Sequence, residues 1–79
     1  MSQTVEVREK TAYFVMETQK NEKGEYRALI AVEGERGYHV TDWTWGSDYK
    51  IADQIATEKN AAMGISAQMA ARIVCSTMR

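Results

Sequence analysis

The chain has 79 residues, one cysteine, no proline and a formal net charge of −1, from 10 basic and 11 acidic residues. A chain this short forms one domain, residues 1–79, with a modest core. Its interleaved charges exclude a polybasic nucleic-acid tail or membrane-binding run. A single cysteine excludes an internal disulfide and favours a reducing, cytoplasmic location, and the N-terminal residues lack the apolar core of a signal peptide.

The first half of the chain has the alternation and the β-branched and aromatic content of strands. Residues 4–8 predict a short strand, either separate from or continuous with a strand over residues 11–18. Further strands are predicted at 25–33 and 38–45. A polar loop ending in Gly24 and a turn with paired glycines, Gly34 and Gly37, join the last three as an antiparallel meander.

The strand at 25–33 has two faces, because side chains alternate along a strand. The face we expect in the core carries Tyr26, Ala28, Ile30 and Val32. The alternate residues, among them Leu29 and Ala31, are expected on the other face.

The second half of the chain has helical spacing. A helix is predicted over 48–62, with Ser47 or Asp48 as its N-cap. Its predicted inward stripe is Ile51, Ala52, Ile55, Ala56, Lys59 and Met63, which leaves Asn60 off the stripe.

Gly64 occupies the place of a helix-ending residue with positive φ, and Ser66 that of the next N-cap. A second helix is predicted over 67–78, with Ala70, Ile73, Val74 and Thr77 inward. The predicted fold class is therefore α+β: a three-stranded meander, or four-stranded with residues 4–8, followed by a helical hairpin packed on one face.

The two helices also allow an alternative function, a small DNA-binding regulator that uses residues 52–79 as a helix-turn-helix. Gly64 in the turn and Ile65 after it match that spacing, whereas Asn60 departs from it. DNA affinity depends largely on neutralising phosphates, and the chain is slightly acidic. We therefore favour an ordinary capped hairpin and expect no nucleic-acid partner.

The residues that could support catalysis are few and scattered. His39 is the single histidine, Asp42 falls on the opposite side of a strand from it, and Cys75 is far along the chain. The sequence has no glycine-rich phosphate loop, metal-ligand spacing or nucleophile elbow. We expect no enzymatic activity, no cofactor and no metal.

The aromatic stretch at 37–49 is the candidate binding surface. Trp and Tyr are the residue types that most often anchor interfaces, and Asp42 and Asp48 would favour a basic partner. The predicted partner-binding residues are Tyr38, His39, Asp42, Trp43, Trp45, Asp48 and Tyr49. The competing interpretation is that the indoles are core beneath the helices, and which of the two is exposed stays open.

The region from Gly37 to Arg79 resembles small uncharacterised proteins of bacteria, phages and plasmids. The resemblance lies in Thr41-Asp42-Trp43, Trp45-Gly46 and Gly64-Ile65-Ser66, with Tyr38, residues 58–60 and residues 76–78 in addition. It brings no established activity. Because many small proteins of mobile elements inhibit host machinery, anti-CRISPR proteins among them, it implies a non-enzymatic protein-binding module that inhibits or modulates a host complex. A homodimer is also expected, since a small chain gains by sharing a core.

Overall fold

The computed structural model describes residues 10–78. Its sheet contains β1 (Thr11–Phe14), β2 (Arg27–Val32) and β3 (Tyr38–Thr44), which pair antiparallel in the order β1-β2-β3. Helices α1 (Tyr49–Ala62) and α2 (Ala67–Thr77) follow and pack against the sheet. The predicted α+β meander with a C-terminal helical hairpin is confirmed. The predicted strand at 4–8 lies outside the described residues.

The first strand is shorter than the predicted 11–18, because the chain turns after Phe14. The Gln19 N–H donates to the Met16 carbonyl at 3.1 Å. Asn21 then organises the loop: its Oδ1 accepts the N–H groups of Lys23 and Glu25, both at 2.9 Å. A side chain that satisfies two loop amides fixes the connection into β2.

The pairing of β2 with β3 is interrupted in the second half of β3, after Val40. Leu29 lies opposite Val40, whereas Arg27 lies opposite Thr44, so β3 contains an irregularity between those pairs. Thr41 stabilises it, because its Oγ1 donates to the Ala28 carbonyl at 2.9 Å and accepts the Trp43 N–H at 3.0 Å. Such a bulge bends a strand and re-aims the side chains that follow it.

The two helices divide the side chains of the sheet between them. One core cluster joins Val15, Tyr26, Ala28 and Trp45 to α1. The other joins Ala12 and Ala31 to α2. Partly buried Tyr13 packs on the first cluster and Phe14 on the second, as alternation along β1 requires.

This division corrects the predicted core face of β2. Leu29 and Ala31 are fully buried, while Ile30 and Val32, which we expected in the core, are half-buried. The reason is that Ala31 lies beneath Ala70 and Ile73 of α2. Tyr26 and Ala28 are buried as predicted, because their part of the strand lies against the α1 cluster.

The ends of the helices follow the capping residues. The Asp48 carboxylate accepts the Lys50 N–H at 2.9 Å and caps α1. Gly64 has a φ of +80°, its N–H donates to the Ala61 carbonyl, and the Ile65 N–H donates to the Asn60 carbonyl. These two bonds form a Schellman motif. Ser66 caps α2 through the Met69 N–H.

The inward face of α1 differs from the predicted stripe. Its buried residues are Ala52, Ala56 and Asn60, whereas Ile51 is 53% exposed and Lys59 is also exposed. The small side chains of Ala52 and Ala56 let α1 approach the sheet closely. The face of α1 that carries them also carries Asn60, so Asn60 is turned inward. The inward face of α2 agrees with prediction, with Ala70, Ile73 and Thr77 buried.

Asn60 closes the outer edge of β1. Its Oδ1 accepts the Tyr13 N–H at 2.7 Å, and its Nδ2 donates to the Tyr13 carbonyl at 3.1 Å. A carboxamide carries one donor and one acceptor side by side, so it can bond both backbone groups of an edge residue as a neighbouring strand would. The outward backbone groups of Tyr13 are thereby satisfied within the chain.

Candidate functional site

The candidate surface is built on a row of aromatic rings, which we call the aromatic row: Trp43, Tyr13, Trp45, Tyr26 and Tyr49. The Tyr13 ring centroid lies 6.2 Å from those of both Trp43 and Trp45. Tyr26 and Trp45 share the α1 core cluster, and the Tyr26 ring meets the Tyr49 ring edge-on at 5.5 Å. These spacings are those of favourable aromatic pairs.

The aromatic row is buried in the middle and exposed at its ends. Trp45 is 8% exposed, whereas Trp43 is 51% and Tyr49 40% exposed. The bulge after Val40 accounts for part of this difference, because it changes where the end of β3 directs its side chains. Trp45 is therefore core, and the two end residues, Trp43 and Tyr49, leave apolar surface exposed.

Trp43 is held in place although half of it is exposed. Its backbone N–H bonds the Thr41 hydroxyl at 3.0 Å, and its ring rests on Tyr13 at a tilt of 40°. A side chain ordered before binding loses less conformational entropy when it binds. Trp43 therefore has two properties of an interface anchor, a large ring and a fixed position.

Charges beside the aromatic row are mixed. Asp42 and Asp48 are exposed, and Asp48 has a structural role as the α1 cap. Lys50 lies next to Tyr49 in sequence, and the Lys20 ammonium lies 4.7 Å from the centre of the Tyr26 ring. The carboxylates of Asp42 and Asp48 remain the acidic groups nearest in sequence to the exposed rings.

The other two predicted site residues, Tyr38 and His39, are at the start of β3. The Tyr38 ring meets the Phe14 ring edge-on at 5.5 Å, and the Tyr38 hydroxyl accepts from Gln19 Nε2 at 3.2 Å. His39 is exposed and its Nε2 lies 3.3 Å from a Glu35 carboxylate oxygen. The structure thus separates the seven predicted residues into the aromatic row with its aspartates and the beginning of β3.

Sequence reasoning missed Tyr13 and Tyr26, which support the exposed rings from below. Both are tyrosines within predicted strands, so the signal was their residue type, but their contacts join segments far apart in the chain. Thr41 was also missed as the residue that anchors Trp43. A threonine two residues before a tryptophan is too common a pattern to identify such a role.

An open groove of about 530 Å³ lies between α1, α2 and the end of β1. Its lining is largely apolar and includes Phe14, Met16, Ile65 and Val74, together with Asp53 and Cys75. Cys75 is exposed in this groove, whereas the His39 ring lies beside the Glu35 carboxylate. Within residues 10–78, no three metal-binding side chains gather into a site.

Some features of the structure agree with the helix-turn-helix alternative and others do not. Gly64 has the positive φ of such a turn, and Ile65 packs with the α2 core cluster. However, Asn60 is committed to Tyr13, and α2 carries one cationic side chain, Arg72, among its residues 67–77. Neither helix of the described chain has the length and apolar content needed to cross a bilayer.

Comparisons with known proteins give no relative for this chain: no family model, no curated protein and no solved structure matches it.

Proposed function

We propose that this chain is a non-enzymatic protein-binding module that contacts its partner through Trp43 and Tyr49. The observation that carries the proposal is an ordered tryptophan that remains 51% exposed. Interface energy concentrates in a few aromatic anchors surrounded by weaker contacts. Trp43 supplies the anchor, and the buried part of the aromatic row holds it from below.

The partner surface that fits best is apolar at its centre and basic at its border. Asp42 precedes Trp43 and Asp48 precedes Tyr49, and both carboxylates are exposed. Charges at the border of an interface mainly steer the encounter, so these aspartates would accelerate association with a basic partner. Following the resemblance to proteins of mobile elements, we place the partner within a bacterial host complex and the interaction in the cytoplasm.

The test is an affinity pull-down from the native host with the full chain and matched variants, followed by mass spectrometry and measurement of the affinity for the captured protein. Trp43→Ala should weaken binding about 30-fold, the equivalent of ~2 kcal/mol. Met63→Ala is the control, because Met63 is also an exposed apolar residue, at 38%, but is the C-cap of α1, at the other end of that helix from Tyr49.

Two outcomes would contradict the proposal. One is that Trp43→Ala retains the same protein with the affinity of the wild type. The other is that the chain shifts duplex DNA in a strongly salt-dependent way while retaining no protein, which would support the helix-turn-helix alternative.

Asp42→Lys should slow association while leaving dissociation nearly unchanged.

A further inference from the structure

The outer edge of β3 carries backbone groups that have no partner within residues 10–78. The Arg27 N–H, in β2, donates to the Gln19 carbonyl, and the Glu33 N–H, directly after β2, donates to the Lys10 carbonyl. Odd-numbered residues of β2 therefore turn their backbone groups toward β1. Ile30 therefore turns toward β3, where it lies opposite His39. It follows that Tyr38 and Val40, on either side of His39, direct their N–H and C=O groups outward.

An exposed apolar side chain lies along this edge, unlike the charged side chains that usually protect an edge strand. Val40 is 43% exposed, although it is apolar and β-branched. Beyond Val40 the bulge interrupts the strand, so the regular free edge is the short segment 38–40. Exposed edges of this kind pair with other strands unless charge, proline or a covering element prevents it.

We propose that this edge binds the same edge of a second copy, in an antiparallel pair centred on His39 and its counterpart. In that register Tyr38 of one copy lies opposite Val40 of the other, twice by symmetry. Each such pair exchanges two N–H···O=C bonds, which satisfies all the outward groups of the regular segment. The exposed Val40 side chain is then covered by Tyr38 of the second copy.

The charges at the two ends of this segment favour an antiparallel second copy as the occupant. Arg36 and Asp42 lie three positions on either side of His39, and both are exposed. Both residues lie outside the regular segment, Arg36 beyond Gly37 with its φ of +84° and Asp42 in the bulge. An antiparallel pair of these edges brings the Arg36 end of each copy beside the Asp42 end of the other. Opposite charges that face each other across strands stabilise the pair, whereas like charges destabilise it. The dimer joins two three-stranded sheets into one and does not depend on the proposed protein partner.

Sedimentation equilibrium of the full chain, from about 5 to about 500 µM, tests the proposal. The weight-average mass should rise with concentration from 9.0 kDa toward twice that value. Val40→Pro should remain monomeric and folded, because it removes an N–H that points away from β2. Val40→Thr is its control: it keeps the N–H and the branching, and should weaken association by no more than about fivefold.

Charge exchange tests the antiparallel pairing of two copies without altering the backbone. Asp42→Arg alone and Arg36→Asp alone should each weaken self-association about tenfold or more, because like charges then adjoin at both ends of the pair. Mixing the two single variants should restore association, since both pairs in the mixed dimer are opposite in charge. The double variant Arg36→Asp/Asp42→Arg should also associate.

Three results would each overturn the dimer. The wild type could remain at 9.0 kDa throughout the concentration range. Val40→Pro could associate as well as Val40→Thr while its circular dichroism matches the wild type. The mixture of the two charge variants could associate no better than either alone. If Val40→Pro fails to fold, the charge-exchange mixture decides the question.

Discussion

The two outer edges of the sheet differ in how their backbone N–H and C=O groups are hydrogen-bonded. At the edge of β1, the Asn60 side chain bonds both backbone groups of Tyr13. At the edge of β3, the corresponding groups of Tyr38 and Val40 have no partner within residues 10–78. At Tyr13, one polar side chain of the same chain therefore takes the place of a neighbouring strand. Within residues 10–78, no side chain does the same for the edge of β3.

The largest effect is expected in β2, which supports both edges. Leu29 is fully buried and pairs with Phe14 of β1 and Val40 of β3. Leu29→Ala should lower the free energy of unfolding by about 3–5 kcal/mol, and Ile30→Ala, at a half-buried position, by about 1–2 kcal/mol. Urea denaturation measures both. Equal losses would mean that the assignment of the buried face is wrong.

The next largest effect is expected when Asn60, which bonds the backbone of Tyr13 at the edge of β1, is replaced. Asn60→Ala removes two hydrogen bonds and leaves the N–H and C=O of Tyr13 without their partner. We expect a loss of about 2–4 kcal/mol in unfolding free energy, since unsatisfied buried polar groups are costly. Lys59→Ala, at the exposed neighbouring position of α1, is the matched control. A loss no greater than the control's would show that water replaces the amide freely.

A smaller effect is expected at Gly64, which ends α1 just after Asn60. Its φ is +80°, and no atom other than those of Gly64 and its two chain neighbours lies within 4 Å of where a Cβ would be. Gly64→Ala therefore introduces backbone strain without a clash and should cost about 1 kcal/mol. Thermal unfolding of this variant beside Ala62→Gly would separate the strain at position 64 from general helix propensity. A neutral Gly64→Ala would mean that the Schellman motif is not retained in solution.

Much of the fold could be predicted because its signals are local. Asp48, Gly64 and Ser66 act as caps through atoms within a few residues, and the paired glycines at 34 and 37 specify a turn. The buried face of β2 could not be predicted, because both faces are apolar and the position of α2 decides between them. Asn60 was misassigned for the same reason: its partner, Tyr13, is 47 residues away.

The sequence predicted the candidate surface only as the stretch 37–49, and the structure shows which of its aromatic residues are exposed. Alternation could not decide which tryptophan is exposed. Trp43 and Trp45 are two positions apart, both contact Tyr13, and only Trp45 enters the α1 core cluster. That difference depends on the bulge held by Thr41 and on where α1 lies, and neither has a sequence signature.

Residue-resolved amide hydrogen exchange tests the contrast between the edges most directly. At low micromolar concentration the Tyr13 amide should exchange slowly, because it is bonded to Asn60, and the amides of Tyr38 and Val40 should exchange near the rate of exposed groups. At high concentration the Tyr38 and Val40 amides should slow, while Tyr13 is unchanged. Fast exchange at Tyr13, or strong protection at Val40 that is independent of concentration, would contradict the account.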